Sequence, residues 1–392
     1  MTFPKILTWK IFIYICIPVI IFALVISNLP SYGMEITGIE FSGEAELPIG
    51  TTFENTPFGG LSGITYDDKN DQYYAISDDR SDRAPARFYT LKLNLRDGQL
   101  AQNGIQPVAV TFVTDKNGKN FAPGTIDGEG IALSDRNSVY ISSEGDVAAK
   151  INPFIKEFSL MTGREISTLP IPDKFLPSAD GTRGVRNNLA FEALTITPNQ
   201  RYLYTATENA LFQDGAEVQP GTTTPCRILE FNLTTQQPAK EFLYITDPVN
   251  SRFARVTGKY ANGIPDLLAL DNQGHFLSIE RAFTGIGFTI QLFQVSLEGA
   301  TDISKIDSIK SVDINQIQPV QKKLLLDLRQ TGVFLDNIEG LTLGPRLPNG
   351  QPTLILVSDN NFQNLQRTQV LAFKLKIKTQ PLIELLRRIS NL

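Results

Sequence analysis

The sequence predicts an all-β fold: a β-propeller of about five four-stranded blades, with a sixth blade left open, preceded by an N-terminal transmembrane or signal-anchor helix. Two observations favour the propeller. A hairpin-like unit recurs five times along the chain, and no long segment after the N-terminus has the apolar spacing of a helix. An apolar run at the very start of the chain predicts the helix.

Each copy of the repeat begins with a small or acidic residue before a short apolar strand and ends with an acidic residue after a second one. The marked first residues are Ser62, Glu129, Glu192, Asp266 and Glu339. Turns rich in Asp, Asn and Gly, flanked by β-branched and aromatic residues, predict antiparallel hairpins. A further alternating strand follows each hairpin. A strand near Glu35 to Phe41 is expected to join the last blade and close the ring, and Pro381 to Leu386 is expected to form a short terminal helix.

The N-terminal segment reads as a targeting element. Lys5 and Lys10 precede an uncharged run from Ile11 to Ile26, and no Ala-x-Ala cleavage site follows. Residues 1–30 are therefore expected to be a signal anchor or signal peptide, with the uncleaved anchor preferred. Residues 31–392 would then form an extracytoplasmic propeller domain, membrane-anchored through the N-terminal helix or secreted.

Composition excludes several classes of function. The chain has 392 residues, 42% of them hydrophobic, which is enough for a substantial core. A formal net charge of −5 argues against a nucleic-acid partner. One histidine and two cysteines leave no multi-histidine zinc or iron site and no disulfide framework.

The repeat predicts an acidic site. The start of the first strand and the end of the second strand of a hairpin lie at the same edge, so the acidic residues of all blades should meet at one mouth of the central channel. Crowded carboxylates must take up protons or a cation, and oxygen ligands without His or Cys favour calcium. The predicted metal ligands are Glu129, Glu144, Glu192, Asp266, Glu280, Glu339 and Asp359. For any one of these acids, the alternative is that it caps a strand end.

Arginines among these acids predict a site for an anion, because guanidinium groups bind phosphate and carboxylate in bidentate fashion. The predicted substrate-binding residues are Arg80, Arg186, Asn188 and Arg281. For each arginine, an internal ion pair is the equal alternative. Asp79 and Glu208 are the candidate catalytic bases.

Several motifs carry a family resemblance over roughly residues 36–378. They are Gly60-Leu61-Ser62-Gly63-Ile64, Ile76-Ser77-Asp78-Asp79-Arg80, Asp127-Gly128-Glu129-Gly130-Ile131, Arg186-Asn187-Asn188-Leu189-Ala190-Phe191-Glu192, and Asp336-Asn337-Ile338-Glu339-Gly340-Leu341 followed by Leu356-Val357-Ser358-Asp359-Asn360-Asn361-Phe362. On these motifs the sequence resembles the phytase-like, or "esterase-like activity of phytase", family of bacterial secreted proteins. The resemblance implies a propeller related to alkaline phytases, in which calcium ions in an acidic channel bind phosphate and help activate water. The fourth hairpin departs from the Glu-Gly pattern with Asp266-Leu267.

Two functions follow as hypotheses. The first is a calcium-dependent extracytoplasmic hydrolase of phosphate or other esters, acting on a small anionic or ester substrate. The alternative is a non-catalytic propeller that binds a ligand or protein at the cell surface and uses calcium for stability. The sequence leaves the oligomeric state open.

Overall fold

The computed structural model describes residues 34–378, which form five four-stranded antiparallel sheets and one two-stranded sheet. The innermost strands of the five sheets contact one another in a closed cycle, so the sheets are the blades of a five-bladed propeller. The predicted N-terminal anchor and the helix predicted at Pro381 to Leu386 lie outside the described residues. Within residues 34–378, no helix is long and apolar enough to cross a membrane.

The strands follow one another from the channel outward in each blade. The first blade contains β4 to β7, at Leu61–Asp67, Gln72–Ser77, Arg87–Arg96 and Gln99–Phe112. The second blade contains β8 to β11, at Gly128–Ser134, Ser138–Ser143, Phe154–Ser159 and Glu165–Leu169. The third blade contains β12 to β15, at Phe191–Ile196, Tyr202–Thr207, Pro225–Asn232 and Gln237–Ile245. The fourth blade contains β16 to β19, at Ala261–Ala269, His275–Phe283, Phe288–Ser296 and Gln321–Asp327.

The fifth blade joins the two ends of the described chain. Its strands are β20, β21, β22 and β1, at Asn337–Arg346, Pro352–Asp359, Thr368–Ile377 and Ile36–Leu47. Strand β1 pairs antiparallel with β22, from Ile36 opposite Ile377 to Leu47 opposite Thr368. The first strand of the domain therefore closes the ring, as the sequence predicts.

The remaining elements are short. Strands β2 and β3, at Thr52–Phe53 and Thr56–Pro57, form the small hairpin. Among the described residues there is one α-helix, α1, at Arg252–Thr257. The 3-10 helices of the same part of the chain lie at Asp173–Phe175, Ile309–Ser311, Ile314–Gln316 and Leu328–Thr331. The Ser251 hydroxyl accepts a hydrogen bond from Ala254 N at 3.0 Å and caps the start of α1, and Gly258 ends this helix with φ of 68°.

The hydrophobic core is divided among the five interfaces between neighbouring blades. On β5, Tyr73 packs toward the fifth blade while Tyr74 packs toward the second, because successive side chains of a strand point to opposite faces. The third strand of the first blade has both faces covered, since the adjacent residues Phe88 and Tyr89 of β6 are both fully buried. Burying each such side chain contributes about 1.5–3 kcal/mol, so the blades form a rigid frame around the channel.

Candidate metal and anion site

A β-bulge near the start of each inner strand sets the direction of the channel-facing side chain. Pairing with the second strand shifts register at Ser62 in β4, at Glu129 in β8, at Glu192 in β12 and at Glu339 in β20. A bulge leaves its extra residue outside the ladder and re-aims its side chain. The marked residues of four hairpins therefore occupy equivalent positions at one end of the channel.

The glycines after these acids allow the inner strands to approach closely. A Cβ on Gly130 would lie 2.5 Å from Leu194 Cβ and 2.6 Å from the Glu192 carbonyl oxygen of the next blade. A Cβ on Gly340 would lie 3.1 Å from Gly63 Cα. The Glu-Gly pattern thus combines a channel-facing carboxylate with a position where a side chain has no room.

One cavity of about 760 Å³ opens at this end of the propeller. Its charged and amide lining residues include Asp78, Arg80, Asp127, Glu129, Asn188, Glu192, Lys259, Arg281, Asn337, Glu339 and Asp359. Glu129, Glu192 and Glu339, from three different blades, therefore share one cavity. The cavity contains four of the seven predicted metal ligands, which are Glu129, Glu192, Glu339 and Asp359, and three of the four predicted substrate-binding residues.

Three carboxylates of the second blade form the tightest acidic group. One oxygen from each of Asp127, Glu129 and Glu144 lies within 4.8 Å of the other two. Glu144 is 2% exposed; its Oε1 accepts a hydrogen bond from Ala190 N, while its buried Oε2 has no partner within residues 34–378. An unpartnered buried carboxylate oxygen is costly, so this oxygen is available for a cation.

A buried arginine neutralises the opposite side of the cavity. Arg281 Nη2 donates to Glu208 Oε1 at 3.0 Å and lies 3.1 Å from Glu339 Oε1. The Nε of Arg281 is buried and has no partner among the described residues. Arg281 therefore joins the third and fifth blades to the fourth.

Burial raises the pKa of the acids in and around the cavity, and the neighbouring carboxylates raise most of them further. The pKa of Asp127 rises to about 6, and that of Asp359 also to about 6. The pKa of Glu339 rises to about 8 although Arg281 opposes the shift. For Glu129 and Glu144, burial and the adjacent Asp127 carboxylate raise the pKa well above its ordinary value of 4.5. Glu339 therefore holds a proton at neutral pH, whereas Asp127 and Asp359 are mostly ionised, and a bound cation would favour the charged form of all these acids.

Asp79 and Glu280 do not line this cavity. Asp79 Oδ2 accepts from Arg87 Nη1 at 2.5 Å, inside a fully buried ion pair. Glu280 lies on the opposite face of β17 from Arg281 and pairs with Lys322 and with the Tyr244 hydroxyl. Because the bulge of β16 contains apolar Ile264 and Pro265, the fourth blade presents Arg281 where an acidic residue was predicted.

Asp266 and Arg186 also occupy other positions. Asp266 lies deeper in the channel, where its carboxylate accepts hydrogen bonds from Leu267 N at 2.8 Å and Leu341 N at 2.9 Å. Arg186 donates to the carbonyl oxygens of Ala210 and Gly215, at 3.0 and 2.7 Å. Asp266 thus matches the alternative given for the acids, in which the carboxylate bonds backbone N–H groups. Arg186 forms neither the predicted anion site nor the alternative ion pair, because it donates to backbone carbonyl oxygens. Glu208 lies behind Arg281 rather than on the cavity surface.

The predicted site residues leave out several polar residues of this cavity, among them Asp127, Asp78 and Asn337. Asp127 precedes β8 and belongs to the tightest acidic group, and Asp78 lines the cavity next to the predicted Asp79. Asn337 donates through Nδ2 to Glu339 Oε1 at 2.8 Å. Asp127 and Asn337 each stand two residues before a marked glutamate, a spacing that could have identified both.

The family comparison agrees with these motifs. The family described as "Phytase-like: Esterase-like activity of phytase" matches residues 56–362. The chain belongs to this family. No curated protein matches the sequence.

Solved structures with similar folds are distant. An endo-arabinase from Bacteroides thetaiotaomicron VPI-5482 is 10% identical, with a TM-score of 0.42 over 87% of this chain and 98% of that chain. A thermostable family-43 glycoside hydrolase is 11% identical, with a TM-score of 0.43 over 84% of this chain and 96% of that chain. A Kuenenia stuttgartiensis hydrazine synthase is 10% identical, with a TM-score of 0.35 over 80% of this chain; the match spans 61% of that chain.

Proposed function

We propose that this member of the phytase-like family is a calcium-dependent extracytoplasmic hydrolase of phosphate or other esters. The observation that carries the proposal is the buried Oε2 of Glu144, which has no partner among the described residues and lies beside Asp127 and Glu129, two acids that line the same cavity as Arg281. A cation and an anion can therefore be held side by side.

The donor set fits calcium. Asp127, Glu129 and Glu144 offer only carboxylate oxygens, and none of the residues lining the cavity is His or Cys. These three residues would hold the ion, and Asp78 of the first blade, which lines the same cavity and has a buried Oδ1 without a partner among the described residues, would be a further candidate. When bound, calcium would polarise the ester and lower the pKa of a water molecule.

The anionic part of the substrate is assigned to the arginine side of the cavity. Arg281 has its Nε free, and Arg80 has a side chain 29% exposed whose guanidinium also contacts Asp127 and Asp146, at 3.5 and 3.1 Å. Both can donate to a phosphate or carboxylate oxygen while keeping an acidic partner. Exposed Asn188 can donate from the rim.

The general base is assigned to Asp359 rather than to Asp79 or Glu208. Asp359 lines the cavity, and its pKa of about 6 suits proton transfer near neutral pH. Its Oδ1 accepts from Asn361 N at 2.6 Å and its Oδ2 from Asn337 Nδ2 at 3.3 Å, which orients the carboxylate. Asp79 is bound by Arg87, and Glu208 is covered by Arg281.

A binding propeller without catalysis is the second candidate. It is favoured by the raised pKa values of the cavity acids, because a cation that relieves their repulsion would stabilise the fold without any reaction.

One assay separates the two candidates. The purified full-length chain is given p-nitrophenyl phosphate, p-nitrophenyl acetate and phytate, with calcium and then with chelator. Hydrolysis that needs calcium and is lost in Asp359→Asn, while calcium still binds, supports the enzyme. Calcium-dependent stabilisation without turnover of any ester supports the binding protein.

A further inference from the structure

We infer that the substrate is amphiphilic: one anionic or ester group binds at the cavity floor, and an acyl or aryl group lies against an apolar lip. The lip consists of Phe283, Ile286, Phe288, Phe334 and Leu365. The inference rests on the proposed function and names the substrate class of the same site.

The lip exposes large apolar side chains beside a strongly charged floor. Leu365 is 93% exposed, Phe334 is 73% exposed and Ile286 is 67% exposed. Single exposed apolar residues are ordinary on protein surfaces, but these three come from three separate loops and line one cavity. Their grouping indicates a binding surface.

The part of the lip formed by the hairpin between β17 and β18 packs against other residues of the fourth blade and against α1. Ile286 stands at the tip of the hairpin between β17 and β18, above the rings of Phe283 and Phe288, whose centroids are 5.3 Å apart. The tip rests on α1, since a Cβ on Gly285 would lie 3.1 Å from Ala254 N.

Two of the proposed anion-binding residues come from parts of the chain other than those that form the lip. Arg80 and Asn188 come from the first blade and from the loop before the third, whereas the lip comes from the fourth and fifth blades. Lys259, just after α1, adds a cation at the rim. A ligand that carries several phosphates and no apolar part would leave the lip in water, whereas an alkyl or aryl ester would cover it.

Binding of alkyl phosphates tests the inference. Inorganic, ethyl and octyl phosphate, the last below its micelle concentration, are titrated calorimetrically into the calcium-loaded full chain. Burial of each methylene strengthens binding about fourfold, so contact of even two methylenes predicts octyl phosphate binding at least about tenfold tighter than ethyl phosphate.

The variants assign that gain to the lip. Ile286→Ser with Leu365→Ser is expected to remove the preference for the octyl chain and to leave calcium and inorganic phosphate affinities unchanged. Met161→Ser, in the turn between β10 and β11 and 87% exposed, is the matched control and should keep the preference.

Each outcome has a distinct meaning. Equal binding of ethyl and octyl phosphate, or a preference unchanged in the lip variant, overturns the inference and leaves the proposed function intact. Failure of every phosphate to bind the calcium-loaded chain overturns the inference together with the anion-binding half of the proposed function.

Discussion

Arg281 and Glu339 form an ion pair across the boundary between the fourth and fifth blades, with Nη2 of the arginine 3.1 Å from Oε1 of the glutamate. The same nitrogen also donates to Glu208 of the third blade. Because these groups are buried, the guanidinium holds three blades together at the charged end of the channel. The pair therefore links the stability of the propeller to the chemistry of its cavity.

Replacing this arginine should destabilise the metal-free protein. Arg281→Gln leaves Glu208 and Glu339 without their cation, and breaking a buried pair costs about 3–5 kcal/mol. Chemical denaturation at pH 8 in the presence of chelator measures the loss. The control is Arg183→Gln: this arginine pairs with Asp307 at 2.7 Å, but the two side chains are 48% and 61% exposed. Exposed pairs contribute about 0–1 kcal/mol, so equal losses in the two variants would contradict the prediction.

The stability of the metal-free protein should fall as the pH rises. The pKa values of Asp127 and Asp359 are raised to about 6 and that of Glu339 to about 8, so the folded state holds protons that the unfolded state has released. The stability that these bound protons contribute is complete below the unfolded-state pKa values near 4. It is lost as the pH rises through the folded-state pKa values of about 6 to 8. Melting with chelator at pH 5.5 and 8.5 should give the lower Tm at pH 8.5. Calcium should raise the Tm more at pH 8.5, and a larger effect at pH 5.5 would refute this account.

Removing one carboxylate of the acidic group should weaken calcium binding. Glu144→Gln keeps an acceptor for Ala190 N but removes the charge beside Asp127 and Glu129. We expect affinity to drop by at least the roughly 10- to 100-fold that losing an outer-shell partner costs at metal sites. Isothermal titration calorimetry measures the change. Glu280→Gln is the control, because Glu280 pairs with Lys322 away from the cavity; an equal drop there would exclude Glu144 as a specific ligand.

Adding a methyl group at Gly130 should disturb the packing of the inner strands. Its Cβ would lie 2.6 Å from the Glu192 carbonyl oxygen, so Gly130→Ala should cost about 1–3 kcal/mol of unfolding free energy. Gly287→Ala, where no atom lies within 4 Å of the added Cβ, should change stability by less than about 0.5 kcal/mol. Urea denaturation compares the two, and a neutral Gly130→Ala would show that the second and third blades can separate freely.

Much of the fold could be predicted from the sequence because the same hairpin pattern occurs in it five times. The hairpins are contiguous, and their turns and marked residues are visible without any long-range information. The closing pair of β1 with β22 was also predictable, because a propeller with an incomplete last blade needs a strand from the start of its domain.

The errors in the site come from register. In β16 the bulge falls on Ile264 and Pro265, so matching hairpins by their acidic residues selected Glu280, which faces away, and Asp266, which lies deeper. Since successive side chains of a strand point to opposite faces, an error of one residue in the predicted register moves a side chain from the cavity face to the core face. The same ambiguity separates Asp78, in the cavity, from Asp79, in a buried pair with Arg87.

Anomalous diffraction from a calcium-soaked crystal tests the central claim most directly. The account predicts a calcium peak between the carboxylates of Asp127, Glu129 and Glu144, lost in crystals of Glu144→Gln. A cavity without a calcium peak, or a peak confined to acidic turns elsewhere on the surface, would contradict it.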